Sequence, residues 1–177
     1  LERTFSVYDE IYHAIRSVDP DHIISMEAIW TGNCLPDPAK YGWENLLYQM
    51  HLYDRTKNMI DLRISELKSF RSRYKTAVYV GEFNCDPLEE YAMRRFNEEG
   101  ISWTTWAYKG AKQSVGNNWF LFVKQIPYAD STKDSFEEIK EKWGSILNTS
   151  NFDVNTKTVR RWILNNIDAP IPEQVKN

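Results

Sequence analysis

Cysteine is scarce, and its placement argues against metal chemistry. Cys34 and Cys85 are the two in 177 residues, without C-x-x-C spacing. His13, His22 and His51 fall at no ligand-like interval from them, so no metal and no cofactor is expected. Two reduced thiols are the first expectation and a single Cys34–Cys85 disulfide the alternative. No apolar run approaches the roughly 20 residues needed to span a bilayer. Lys/Arg clusters are missing, and a formal net charge of −3 gives no reason to expect nucleic acid or another polyanion. A flavodoxin-like phosphate binder would need a Gly-rich strand-to-helix turn, and none is present. Internal repeats, low-complexity tracts and interdomain linkers are also lacking, so residues 1–177 read as a single domain. No secretory leader is read at Leu1. The chain opens inside a helical pattern, as a mature product or an excised piece would, and location is not legible from this terminus.

Aromatic residues, by contrast, are plentiful: 14% of the chain, with seven Trp and ten Tyr. Much of that belongs to core, but Trp and Tyr also offer flat apolar faces with a polar handle, which suits sugar rings. With 42% hydrophobic and 27% charged residues the profile is that of a globular protein able to bury one sizeable core. Asn148-Thr149-Ser150 fits the N-glycosylation sequon, a pattern that also arises often by chance.

Periodicity sets the organisation. Phe5, Tyr8, Ile11, Tyr12, Ile15 and Val18 recur at three- and four-residue steps and predict a helix that Asp19-Pro20-Asp21 stops. Short apolar runs at Ile23 to Met26 and within NLLYQMHLYD predict two buried strands, with a Gly/Pro/Asp-containing loop between them. Ile60, Ile64, Leu67 and Tyr74 mark one face of a long surface helix, and Ala77 to Val80 a third strand. Asp86-Pro87-Leu88-Glu89 reads as N-cap, first-turn Pro and acid, so a helix is predicted from there to Gly100. ISWTTWAYKG is the fourth strand with its exit, followed by a long loop, Gly110 to Lys133, that carries the apolar segment WFLFV. Phe136, Ile139 and Trp143 mark one further helix, and Val159, Trp162 and Ile163 a last one. Strands beginning near residues 23, 46, 77 and 101 are spaced by about one βα unit, which predicts an α/β fold with a parallel sheet and right-handed crossovers.

In parallel α/β folds, loops at the C-terminal strand ends converge on one rim and carry the chemistry. The four ends here read Glu27-Ala28-Ile29-Trp30, His51-Leu52-Tyr53, Glu82-Phe83-Asn84 and Trp103-Thr104-Thr105-Trp106. Any one has a bland reading: a carboxylate accepting loop amides, or a histidine satisfied within the core. Together, carboxylate, imidazole, phenol and indole suit glycoside hydrolysis. A carboxylate can attack an anomeric carbon or stabilise an oxocarbenium-like transition state. A nearby Tyr or His can aim that carboxylate by hydrogen bonding, and a Trp face can floor a sugar.

VYVGEFN, QMHLYD and GISWTTWAYKG resemble the last strands of glycoside hydrolase family 5, the cellulase family of (β/α)8 barrels. IRSVDPDHIISMEAIW resembles the helix and fifth strand of its endoglucanase-like members. The likeness runs from about residue 5 to 125, in the family's order. It implies that Glu82 is the nucleophile of a retaining mechanism. It implies that Tyr53 hydrogen-bonds Glu82 and that His51 lines the subsite where the bond breaks. Trp106 matches the strand-eight Trp that stacks on the sugar. Trp30 would line an aglycone-side subsite, and Asn84 and Lys109 would contact hydroxyls or simply face solvent.

One part of the family pattern is missing. The acid/base Glu of the family sits in Asn-Glu-Pro after strand four, and no Asn-Glu-Pro occurs in this chain. The resemblance therefore implies the C-terminal half of a TIM barrel, strands five to eight with their helices, in keeping with the roughly 250 residues of a complete one. Glu27 is a conceivable substitute acid, but the family places that group one strand earlier. The expected function is the nucleophile-bearing part of an endo-β-1,4-glucanase-like enzyme acting on a β-linked polysaccharide, nearly inactive by itself. The alternative is a non-catalytic carbohydrate-binding or interaction module. Open sheet edges should be covered by an N-terminal half-barrel or by self-association. The family likeness also implies an extracellular setting.

Overall fold

The computed structural model describes residues 1–28, 34–111, 120–123 and 128–166, which form two compact units, Leu1–Thr104 and Thr105–Asn177. The first unit runs α1 (Glu2–Arg16), β1 (Ile24–Glu27), a 3-10 turn (Pro38–Tyr41), β2 (Leu46–Leu52), α2 (Lys57–Tyr74), β3 (Ala77–Phe83), α3 (Glu89–Glu98) and β4 (Ser102–Trp103). Its four strands lie in the order β1-β2-β3-β4 and every pair is parallel. Beyond the β1–β2 connection, sequential parallel neighbours joined by helices are what short apolar strands alternating with helices produce.

The core lies between this sheet and its helices. Ile60, Ile64, Leu67 and Phe70 form the buried stripe of α2, and Ala92, Met93 and Phe96 that of α3. They meet Tyr48, Met50 and Leu52 of β2 and Val78, Val80 and Phe83 of β3, all buried. Tyr74, predicted on the same face as Ile60, continues it at the margin, stacked on Phe70 at 5.7 Å between ring centroids and edge to face with Tyr48 at 6.3 Å. Phe83 and Phe96 meet edge to face at 5.3 Å, both fully buried. Truncating Phe96 to Ala removes a fully buried ring and leaves a cavity against Phe83. We expect a loss of about 3–5 kcal/mol, read as a lower urea midpoint with an unchanged slope.

Polar ties fix α1 and the strand starts. Trp43 Nε1 donates to Asp9 Oδ1 (2.7 Å), and the Tyr12 hydroxyl exchanges bonds with the backbone of Glu44. The Arg16 guanidinium donates to the carbonyls of Asp19, His22, Glu44 and Asn45, stitching the end of α1 to the chain entering β1 and β2. Between α2 and α3, Tyr91 and Arg95 both donate to Asp61, and these two bonds hold its carboxyl below the usual carboxylate range.

Several sequence expectations are corrected. The strands are not uniformly buried: β2 alternates, with Leu46, Tyr48, Met50 and Leu52 covered and Leu47, Gln49 and His51 partly or fully open. The helices pack on the face that carries Tyr48, Met50, Val78 and Val80, while Leu47, Gln49, Tyr79 and Glu82 on the other face are partly open. Helix α3 starts at Glu89 rather than at Asp86-Pro87. Its first turn is tied down by the buried Glu89, whose Oε1 accepts from Cys85 N–H at 3.1 Å. α1 ends at Arg16, leaving Val18 exposed. The two cysteines, by contrast, are free thiols, as first expected.

The second unit holds β5 (Lys109–Ala111), β6 (Leu121–Val123), α4 (Phe136–Leu147), a 3-10 turn (Thr149–Asn151), β7 (Phe152–Val154) and α5 (Thr156–Asn166). β5 pairs parallel with β6, and β6 antiparallel with β7. Both predicted helices are present, and Ser135 with Glu138 closes a reciprocal capping box at the start of α4. The segment read as one long loop instead contributes β5 and β6. ISWTTWAYKG is split between two sheets, Ser102–Trp103 in the first and Lys109 with Gly110 in the second. Residues this few per strand leave almost no periodicity to read. Among the described residues no helix is long and apolar enough to cross a membrane.

Candidate active site

Parity along the strands decides which side chains share the open face. Glu27 of β1 pairs in register with Gln49 of β2, and Gln49 with Tyr79 of β3, so all three project to the same side. Two residues beyond Gln49, His51 falls on that side too. In β3, strict alternation would send Glu82 to the helix face together with Val78 and Val80. The register shifts at this point: Met50 pairs with Val80, but His51 pairs with Glu82 and Leu52 with Phe83. Gly81 is the extra residue of a bulge, and it reverses the parity. Phe83 therefore enters the core and Glu82 faces His51.

A side chain at Gly81 would disturb this arrangement, because a Cβ there would lie 1.8 Å from Gln49 Oε1. The bulge is held from the other edge by Thr104, whose N–H donates to Val80 O (2.9 Å) and whose hydroxyl donates to Gly81 O (2.6 Å). The Tyr79 hydroxyl in turn donates to Thr104 Oγ1. Sequence reasoning singled out neither Thr104 nor Gln49, since their roles follow from register alone.

The carboxylate of Glu82 meets two partners. Tyr53 donates its phenolic hydrogen to Oε1, and His51 Nδ1 lies 3.7 Å from Oε2. The same His51 Nδ1 lies 3.2 Å from Glu27 Oε1, so two carboxylates flank one imidazole nitrogen. Glu82 is the sheltered one, with its side chain 17% exposed against 45% for Glu27. Tyr53 is itself half-exposed, so the group opens to solvent at the C-terminal ends of β1, β2 and β3. A carboxylate held by hydrogen bonding at a strand end, with solvent beside it, can act as a nucleophile or general base. Among the described residues no cluster of three or more His, Cys, Asp or Glu could hold a metal ion.

Asn84 follows Glu82 by two, but its carboxamide oxygen accepts from Asp86 N–H at 3.3 Å in a local turn. Trp106 and Lys109 belong to the second unit. The Trp106 side chain is half-exposed, and the Lys109 ammonium lies 5.0 Å from the Phe152 ring centre. Trp30 lies outside the described residues. Behind the site, burial pushes the Cys85 thiol up to about 12. Only the thiolate is nucleophilic, so at pH 8 on the order of one Cys85 in ten thousand would be reactive even if reagent could reach it. We expect maleimide to spare Cys85 in the folded chain at pH 8 and to modify it in urea, as peptide mapping would show. Modification under native conditions would contradict its burial.

Comparison with known proteins bears on what such a rim can be. No curated protein matches the chain. Among solved structures, the catalytic domain of a mannanase from Streptomyces sp. SirexAA-E is similar at 22% identity, over 57% of this chain and 29% of that one, with a TM-score of 0.35. The family model for cellulase, glycosyl hydrolase family 5, matches residues 2–112. That stretch includes the four parallel strands and every residue of the rim just described, and on that match the chain belongs to glycosyl hydrolase family 5.

Proposed function

We propose that this chain is the nucleophile-bearing, C-terminal portion of a retaining β-glycosidase barrel, strands five to eight, with residues 1–177 as one partial domain. The observation that carries the reading is the phenol of Tyr53 on one oxygen of Glu82, with His51 beside the other. In the proposed first step an oxygen of Glu82 bonds to the anomeric carbon as the glycosidic C–O bond breaks, its electron pair leaving with the aglycone oxygen. Water then releases the sugar. The second step and the protonation of a poor leaving group need an acid/base that this reading assigns to an N-terminal half-barrel. Trp106 is proposed to stack on the sugar, Trp30 to line an aglycone-side subsite, and Asn84 and Lys109 to lie near hydroxyls. The substrate class is a β-linked polysaccharide of the cellulose or related glucan type, and the setting is extracellular. The half-barrel, or a second copy of this chain, would cover the outer edges of β1 and β4.

A 2,4-dinitrophenyl 2-deoxy-2-fluoro-β-cellobioside tests this, because dinitrophenolate leaves without protonation. Incubated with the chain, alone and together with an N-terminal half, it should add one fluorocellobiosyl mass. Absence of the adduct in both mixtures would instead favour a carbohydrate-binding module. Tyr53→Phe should slow adduct formation by roughly ten- to a hundredfold, the scale of a hydrogen bond to a charged group, with an unchanged melting temperature. An unaltered rate would remove Tyr53 from the site.

A further inference from the structure

We infer that Glu27 is a positioning residue for His51: its carboxylate takes the imidazole Nδ1–H and so fixes both the ring and its tautomer beside Glu82. The inference rests on the glycosidase reading only for its catalytic consequence.

The geometry requires a proton on Nδ1. That nitrogen lies 3.2 Å from Glu27 Oε1 and 3.7 Å from Glu82 Oε2, and a bare lone pair facing two carboxylates would be repelled by both. Of the two approaches the shorter is to Glu27, an ion-pair contact and not yet an aligned hydrogen bond, which makes Glu27 the nearer acceptor for that proton. Its place is fixed by the same ladder that presents the histidine. Glu27 is in register with Gln49, the Ala28 N–H donates to Gln49 O at 3.0 Å, and the Tyr8 hydroxyl donates to the Glu27 carbonyl at 3.0 Å. Burial first, and the Glu27 carboxylate second, push the Tyr8 phenol up, so it stays a donor there.

One consequence follows for the carboxylate opposite. With the His51 N–H drawn to Glu27 and Glu82 Oε1 bonded to Tyr53, Oε2 is the Glu82 oxygen left for attack. Glu27 thus acts through His51 and not as the missing acid.

The test is imidazole 15N NMR on the full chain at pH 8, with His51 assigned by loss of its signals in His51→Asn. Wild type should show the Nδ1–H tautomer. Glu27→Ala should lose it, giving the Nε2–H form or an exchange-averaged mixture, because Glu82 is too distant to take over. Glu27→Gln, whose amide oxygen still accepts, should restore Nδ1–H, which a merely structural role for Glu27 would not require. With the dinitrophenyl fluoro-cellobioside, Glu27→Ala should be labelled roughly tenfold more slowly or worse, as misplaced catalytic groups typically are, and Glu27→Gln should recover most of that loss. The side chain of Glu27 is half-exposed, so both variants should fold, and circular dichroism checks this. An Nε2–H tautomer in wild type, or an unchanged Nδ1–H in Glu27→Ala, would overturn the inference. Wild type that shows Nδ1–H but takes no label, alone or beside an N-terminal half, would uphold Glu27 as the partner of His51 and overturn the glycosidase reading alone.

Discussion

Glu82→Gln is expected to abolish the fluorocellobiosyl adduct altogether, the largest effect any single substitution here should have. An amide oxygen of Gln is too weakly nucleophilic to displace a phenolate from an anomeric carbon, yet it fills the same volume and can still accept from Tyr53. Folding should therefore survive while chemistry does not. Intact-mass spectrometry beside a thermal melt separates the two: no adduct with an unchanged midpoint is the expected pair of results. A labelled Glu82→Gln protein would mean that another carboxylate attacks, with Glu27 the first to examine given its place on the same imidazole nitrogen.

The second large effect concerns leaving groups. On its own the chain should react with dinitrophenyl glycosides yet hydrolyse soluble β-glucan barely or not at all. A sugar hydroxylate must be protonated as it departs, and loss of a general acid typically costs about 10²–10⁴-fold in rate. Dinitrophenolate needs no proton. Adding an N-terminal half that carries a carboxylate should restore activity on polymer far more than on the activated probe, and a reducing-sugar assay beside phenolate release measures the gap. If the isolated chain cleaves β-glucan as fast as complete family 5 enzymes, the acid lies within residues 1–177 and the division of labour proposed here is wrong.

Some of this could be read directly from residue order. The four strands of the first sheet start within a residue or so of their expected positions, because each apolar run is bounded by a Pro, Gly or Asp signal or by a helix with its own apolar stripe. Placing His51, Tyr53 and Glu82 at strand ends needed nothing more. What sequence could not supply was face. Alternation from Val78 and Val80 sends Glu82 into the core, and only the bulge at Gly81 turns it to meet His51. A lone Gly inside a strand hints at a bulge without saying in which direction the register moves. The nearness of Glu27 to His51 is likewise a property of the β1–β2 register, invisible while the strands are read singly. The second sheet was missed because its three strands have three residues each, too few for a period to appear. Helix α3 was started too early for a related reason. The Asp-Pro pair looked like a cap, while the bond that ties down the first turn comes from Glu89 reaching back to Cys85.

On the alkaline side the fold gains from groups that burial keeps protonated, among them the Tyr48 phenol and the Cys85 thiol. The Cys85 thiol rises from 9.0 to about 12 on burial, so the folded state keeps a proton that the unfolded chain gives up. Its contribution is intact below pH 9 and is lost progressively as pH climbs toward 12. Urea midpoints measured across that window should fall, and Cys85→Ala should flatten the decline.

Peptide mapping of the chain after reaction with the dinitrophenyl fluoro-cellobioside, alone and beside an N-terminal half, addresses the central claim most directly. The sugar should be found once, on Glu82, within the fragment that holds Val78 to Asn84. A sugar found on Glu27 instead, or on no residue in either mixture, would contradict it.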